Sequence, residues 1–428
     1  MRIPITTLFV LAVLASSVFA QTEVSQLRAD PGRSGEFTVS PIKSFDRLLW
    51  KSPKLFEVSI TDRGMVDTNV LGERLRFEQR RGSPISPSGI REAVSGEREF
   101  GIESMPLHHK GNLHIAVNFG PASFWGSQSE PGDGFLLAID AQNGKPQWVY
   151  RCGDCYISNP VGFNDWIIVI SRNRSARRDP DGAVTAIDRS TGQRAWSVPA
   201  GTSLSTPTIH NEVLYFADGP TYAQTSTSTL HALDLKARKI VWSFAAKGFF
   251  NSPAISGGLA FVGSNKDYLY AIDLVTGQEK WRFKAEARRP AARDGVVYFS
   301  DFSKLYAVDA ASGNLKWKIK VPEGVTKPLA ISKSSVFFSS EGRKFYAVDV
   351  SNGQIRWSIK TKLYPYEPVI AGNRVFVGGT EELLMLDTET GQKFDTVKLG
   401  PNIAYTPTLL DDIAIIYNGD GFFFAATK

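Results

Sequence analysis

The chain has 428 residues, of which 42% are hydrophobic and 21% charged, with a formal charge of +6. This excludes a collagen-like or wholly disordered chain, and the mild, spread-out basicity gives no footprint for nucleic acid. Two cysteines exclude a disulfide scaffold, while 37 glycines and 11% aromatics point to many turns and strands.

The first segment, 1–20, reads as a secretory signal. Arg2 precedes an apolar run from Leu8 to Leu14, and Val18-Phe19-Ala20 forms a small-residue cleavage site before Gln21. No Cys follows that site, so no lipid attachment is expected. No other apolar run is long enough to span a membrane. The expected location is outside the cytoplasm, periplasmic or extracellular.

Residues 21–45 form a lead-in, and a repeat fills 46–428. The phrase LLAIDAQNGKPQW (136–148) returns as VTAIDRSTGQRAW (184–196), LHALDLKARKIVW (230–242) and LYAIDLVTGQEKW (269–281). It returns again as LYAVDAASGNLKW (305–317), FYAVDVSNGQIRW (345–357) and a worn LLMLDTETGQKFD (383–395). A Pro beside an apolar run opens each unit: Pro106, Pro160, Pro207, Pro253, Pro290, Pro328, Pro368 and Pro407. These markers stand 37 to 54 residues apart. Eight units of that period, each with room for four short strands A to D, predict an all-β, eight-bladed β-propeller of antiparallel blades.

In unit four, strand A falls near Pro253–Ile255, B near Leu259–Val262, C at Tyr268–Asp273, and D begins near Glu279. Thr276-Gly277 makes the C–D turn, with Gly free to take positive φ and Asp273 bonding the turn amides. Unit eight lacks an outer strand, and Arg47–Lys51 is expected to supply it, closing the ring. Trp50, Trp148, Trp196, Trp242, Trp281, Trp317 and Trp357 then share one structural position, wedged between neighbouring blades. Burying ~200 Å² of each at ~25 cal/mol/Å² gives about 5 kcal/mol per ring as an upper bound.

The phrase LYAIDLVTGQEKW resembles the repeat of the pyrroloquinoline-quinone (PQQ)-type propellers over about 28–428. Leu27–Gly35 resembles the segment that leads into such propellers. That family includes quinoprotein dehydrogenases and the outer-membrane assembly factor BamB, which keeps the fold without the cofactor. The resemblance implies the fold and leaves the function open. Arg238 replaces the turn Gly in unit three, and unit seven lacks its Trp.

Function in a repeat protein sits where the repeat is interrupted. The B–C loops of units one to three are long (120–133, 171–181 and 218–228), whereas those of units four to seven are short. The connection at 59–103, read as a strand pair and a loop, enters unit one on the same face. Together these predict an asymmetric binding face over units eight and one to three. Phe124 and Trp125 read as a hot-spot pair or as a loop packing on itself. Arg172, Arg174, Arg177 and Arg178 suit an anionic partner, or form a solvated loop. Tyr222, Phe249 and Phe250 complete the candidate face.

Cys152 and Cys155 read as a local disulfide clip in an exported protein. No residue set reads as catalytic or as a metal site. His108 and His109 read as core or channel lining. The expected function is an exported, non-catalytic propeller scaffold, in cell-envelope protein assembly, with a protein or anionic ligand at one face and a monomeric state. No cofactor is expected in that role. The alternative is a PQQ- and Ca²⁺-dependent dehydrogenase of alcohols or sugars, with 59–103 as its only candidate roof.

Overall fold

The computed structural model describes residues 106–119, 133–153, 155–173, 182–201, 205–219, 227–362, 365–403, 407–410, 413–417 and 423–427. It also describes short strands at 24–25, 36–37, 48–51, 56–60, 66–70, 73–77 and 100–101. Every described element is a strand. The strands form antiparallel meanders, one per repeat unit. In unit four they are Ala254–Ser256, Leu259–Gly263, Tyr268–Asp273 and Glu279–Lys284, hydrogen-bonded in chain order. Units three, five and six repeat this four-stranded order.

The burial pattern explains the packing. Strand C of unit four is buried at four consecutive positions, because blades cover both of its faces. Strand D, Glu279–Lys284, alternates instead, with one face open to water. The core is therefore a series of layers between blades. Units five and six share Tyr298, Leu305, Trp317, Leu329, Val336 and Tyr346. Each other consecutive pair of units, from one–two to seven–eight, shares a similar cluster.

The repeat Trp joins each layer to the next. Its indole N–H donates to the carbonyl following the turn Asp of the next unit. The pairs are Trp148 to Arg189 (2.7 Å), Trp242 to Leu274 (2.9 Å), Trp281 to Ala310 (3.1 Å), Trp317 to Val350 (2.8 Å) and Trp357 to Thr388 (3.1 Å). The ring lies on the next unit's turn glycine. A Cβ built on Gly192, Gly277, Gly313, Gly353 or Gly391 would meet the preceding Trp at 2.6–2.7 Å. These glycines also have φ between +69° and +75°. The residue is thus fixed twice, by backbone conformation and by the seat it makes. The turn Asp accepts the next amides, and the Thr276 N–H foremost holds the Asp273 carboxyl down at about 2.

Unit three breaks the pattern. Arg238 holds the turn at φ +53°. Its guanidinium lies 5.6 Å from Trp196 and 5.8 Å from Trp166. With a side chain on the seat, the buried Trp196 indole N–H finds no hydrogen-bond partner.

The N-terminal segments add to blades far along the chain. Val24–Ser25 pairs with strand A of unit two, and Glu36–Phe37 runs parallel to strand A of unit seven. Leu48–Lys51 pairs antiparallel with Phe423–Thr427 as the outer strand of the last sheet. Trp50 stands opposite Ala425, the register that Trp281 has with Ala271. Thr408 Oγ1 donates to Pro106 O, joining units eight and one across 302 positions. Within the insertion, Val66–Val70 and Glu73–Phe77 form the expected antiparallel strand pair, and Phe56–Ile60 adds a third strand to make a separate sheet.

Two glycines separate the seat from the backbone requirement. Gly295 has φ +74° and open space where a Cβ would stand, whereas Gly313 has φ +73° under Trp281. Gly295→Ala is expected to cost about 1 kcal/mol from φ alone. Gly313→Ala should cost about 1–3 kcal/mol more from overpacking. Urea unfolding of both variants checks the difference.

Candidate binding face

Where both are described, a B–C loop meets the neighbouring D–A connection: the Asn265 N–H donates to Phe249 O, the Val325 N–H to Phe302 O and the Glu341 N–H to Gly324 O. Phe124, Trp125, Arg174, Arg177, Arg178 and Tyr222 lie outside the described residues. Arg172 is described: it is half-buried near the end of strand Trp166–Asn173, opposite Gly182 and Tyr156. Phe249 is half-buried, its N–H donating to Asn265 Oδ1 at 2.8 Å.

Phe250 corrects the sequence reading. It is 1% exposed, stacked on Phe244 and tilted against Tyr270. A backbone bridge to Ser264 draws it into unit four. Adjacent residues of an extended chain point opposite ways, so both phenylalanines cannot face solvent. Phe250 pins the connection between units three and four.

Cys152 and Cys155 are disulfide-bonded, with Cα atoms 5.9 Å apart. Cys155 is buried with Leu107, Ala116 and Ile157, so the bond ties the outer strand of unit one to the layer under unit two.

The residue before the repeat Ala in strand C sends its polar tip to this face. In unit three, His231 Nε2 lies 2.9 Å from Asp218 and Nδ1 lies 2.8 Å from Ser243. In unit five, Tyr306 donates to Asp301 at 2.6 Å, beside Lys304. In unit six, Tyr346 donates to Glu323 at 3.3 Å, and Lys344 pairs with the same carboxylate at 2.8 Å. Burial pushes the Asp301 carboxyl up, but hydrogen bonds led by Tyr306 outweigh it and leave it below the ordinary range. Lys344 foremost holds Glu323 low. The Asp301 and Glu323 carboxylates are ionised and already bound to neighbours. They are not arranged as an acid–base pair.

His109 and His114 of unit one are structural. His109 is buried against Gly162 of unit two and donates through Nε2 to Asn164 O at 2.7 Å. His114 stands opposite Ala138, where Tyr215, Phe261, Tyr298 and Phe337 stand opposite the Ala of their own units. Those rings contact the repeat Trp at 5.8–5.9 Å, and His114 contacts Trp148 at 5.6 Å. His114 therefore serves as the aromatic of its unit. Among the described residues, no group of three or more His, Cys, Asp or Glu side chains could hold a metal ion.

Units five and six, plain in sequence because their loops are short, hold features that the sequence reading did not single out. Phe302 is exposed on the B–C loop of unit five with φ +78°, and Arg288 lies over its ring. The one available signal was an aromatic in a tight loop where Gly or Asn is usual.

His114 gives an acid sensitivity of defined sign. Burial first, then the charge of His109, lowers its pKa from 6.5 to about 3. The unfolded chain binds the proton first, so stability is full above pH 6.5 and falls as pH drops toward 3. From pH 7 to 5 the loss is about 2 kcal/mol. His114→Phe should remove that part of the slope, as read by urea unfolding at both pH values.

A family model described as outer membrane protein assembly factor BamB matches residues 104–219, 180–293 and 283–402. BamB of Legionella pneumophila (strain Paris) is 30% identical over 153 residues, 34% of this chain and 37% of that protein. The serine/threonine-protein kinase AfsK of Streptomyces griseus is 31% identical over 115 residues, 25% of this chain and 14% of that protein. The match thus spans well under two thirds of either curated relative. Among solved structures, BamB from Moraxella catarrhalis aligns with a TM-score of 0.54 at 18% identity, over 70% of this chain and 92% of that one. The computationally designed Ika8 protein aligns with a TM-score of 0.61 at 13% identity, over 78% and 97%. At these identities the structures speak for the fold alone.

Proposed function

Since the chain belongs to the family of the outer membrane protein assembly factor BamB, we propose that it is an exported, non-catalytic propeller that holds a protein partner during cell-envelope assembly. In this reading eight blades form one ring, closed by Leu48–Lys51 in the last sheet. Partners dock on the face of the B–C and D–A connections, through the loops of units eight and one to three. The mature protein is periplasmic or extracellular and works as a monomer.

The observation that carries the reading is the match of residues 104–402 to the BamB family model, and the Trp-on-Gly seat of most consecutive units adds to it. It makes a stiff platform whose repeated side chains are committed to packing. The carboxylates described above on the docking face are likewise committed to neighbours, which supports binding over acid–base chemistry. The reading carries no PQQ.

Two measurements test this. Titration of the protein with PQQ, with and without Ca²⁺, is expected to leave Trp fluorescence unchanged. Saturable, calcium-dependent, stoichiometric binding would overturn the non-catalytic reading. Crosslinking in envelope extracts should give a defined partner with the intact protein. Deleting 174–178, which leaves strand Trp166–Asn173 intact, should lose that partner while the melting temperature stays within about 2 °C. Retention of the partner would remove that loop from the docking face.

A further inference from the structure

The blade framework is disturbed at one corner of unit five. Strand A, Arg288–Arg293, loses register with strand B between Arg288 and Ala291. Such a bulge re-aims side chains. Here it turns out Arg288 and Arg289, and Arg289 takes φ +45° directly before Pro290. The left-handed region is unfavourable for a non-glycine residue, and the α region is disfavoured before proline. Arg289 is exposed, and Nη1 donates to Thr326 O of the next connection at 3.2 Å.

The adjoining loop carries the second distortion. Phe302 is 42% exposed with φ +78°. Its carbonyl accepts the Val325 N–H at 2.6 Å, and the Val321 N–H donates to Ser303 O at 2.7 Å, which locks the loop. Its ring rests on Gly324 and lies 5.9 Å from the Arg288 guanidinium. The other exposed large apolar side chains described, Val241, Val275, Leu315, Ile355 and Phe394, lie on outer strands or a C–D turn. Phe302 alone among them stands on the docking face.

A left-handed backbone at a partly exposed aromatic carries a conformational cost. Asn or Gly would fit the same backbone without that cost. Strain held in place by surrounding hydrogen bonds is a mark of a working surface. We propose that Phe302 with Arg288 and Arg289 forms a docking site for an acidic segment of a partner protein, one carboxylate on Arg289 and one apolar side chain on Phe302. The site rests on the scaffold reading above and lies outside the loops that reading uses.

The chemistry selects that occupant. A free phosphate has no apolar group for Phe302. A flat anionic bilayer would meet Glu286, Asp301, Glu323 and Glu341, which are interleaved with the cations at this corner. A peptide can place its carboxylates between them. Arg288 is already engaged by Glu286 through Nε and Nη2, so it orients the ring. Arg289 makes one of the five hydrogen bonds a guanidinium can donate.

The test uses the full mature chain and a fluorescein-labelled acetyl-Glu-Phe-Glu-Phe-Glu amide, followed by anisotropy. A Lys-for-Glu counterpart and phosphatidylglycerol vesicles serve as controls. Phe302→Asn and Arg289→Asn are the variants, because Asn accepts the left-handed backbone. The wild type should bind the Glu peptide, more weakly as salt rises, and neither the Lys peptide nor the vesicles. Each variant should weaken binding at least tenfold. The melting temperature of Phe302→Asn should rise by about 1–2 °C. Variants that bind like the wild type, a Phe302→Asn protein that melts lower, or vesicle binding in place of peptide binding would each overturn the proposal. If the variants bind normally while deletion of 174–178 still abolishes partner crosslinking, this site falls and the scaffold reading stands.

Discussion

The contact of one indole with one glycine governs this fold. Each blade alone is a small sheet that cannot cover both of its apolar faces. The Trp of one blade covers part of that face and hydrogen-bonds the next blade's turn, so neighbours are fixed in angle as well as distance. The demand spreads inward. The residue opposite each repeat Trp is Ala in unit after unit, because the ring and the strand B aromatic both crowd it. His114 in unit one is tolerated because what that position needs is a flat ring of suitable size, and a buried neutral imidazole meets the need.

Unit three shows what happens when the seat is lost. Arg238 leaves the Trp196 indole N–H unpartnered, and the guanidinium lies near both Trp196 and Trp166 instead. A cation over an aromatic face offsets part of the missing hydrogen bond. The layer between units two and three remains packed, with Phe163, Ile168, Leu214 and Phe216 fully buried. One seat in a series can therefore be replaced by different chemistry without opening the structure.

Much of this was legible in the sequence, for a physical reason. Period and alternation are averages over many residues, and they placed strand C of unit four at Tyr268–Asp273. The role of the turn glycine was half legible. The sequence points to positive φ, but the ring lying on Gly313 comes from another blade. Phe250 was placed on the face because it lies on the connection between units three and four, whereas a single bridge to Ser264 decides its direction. Phe302 was missed because a left-handed residue is a property of one dihedral angle, held by an amide more than twenty residues away. Local sequence carries no record of such a partner.

The pairing of Leu48–Lys51 with Phe423–Thr427 sets an order of events. Synthesis delivers the first of these strands hundreds of residues before the second. Until residue 427 has emerged, the early strand has no partner and the last blade has no outer edge. The sheets of units three to six are built from nearby chain alone and can pack as they appear. Completion of the last sheet therefore waits for Phe423–Thr427. A nascent chain stalled short of its last strand would carry two bare β edges, the kind of surface that chaperones and proteases recognise.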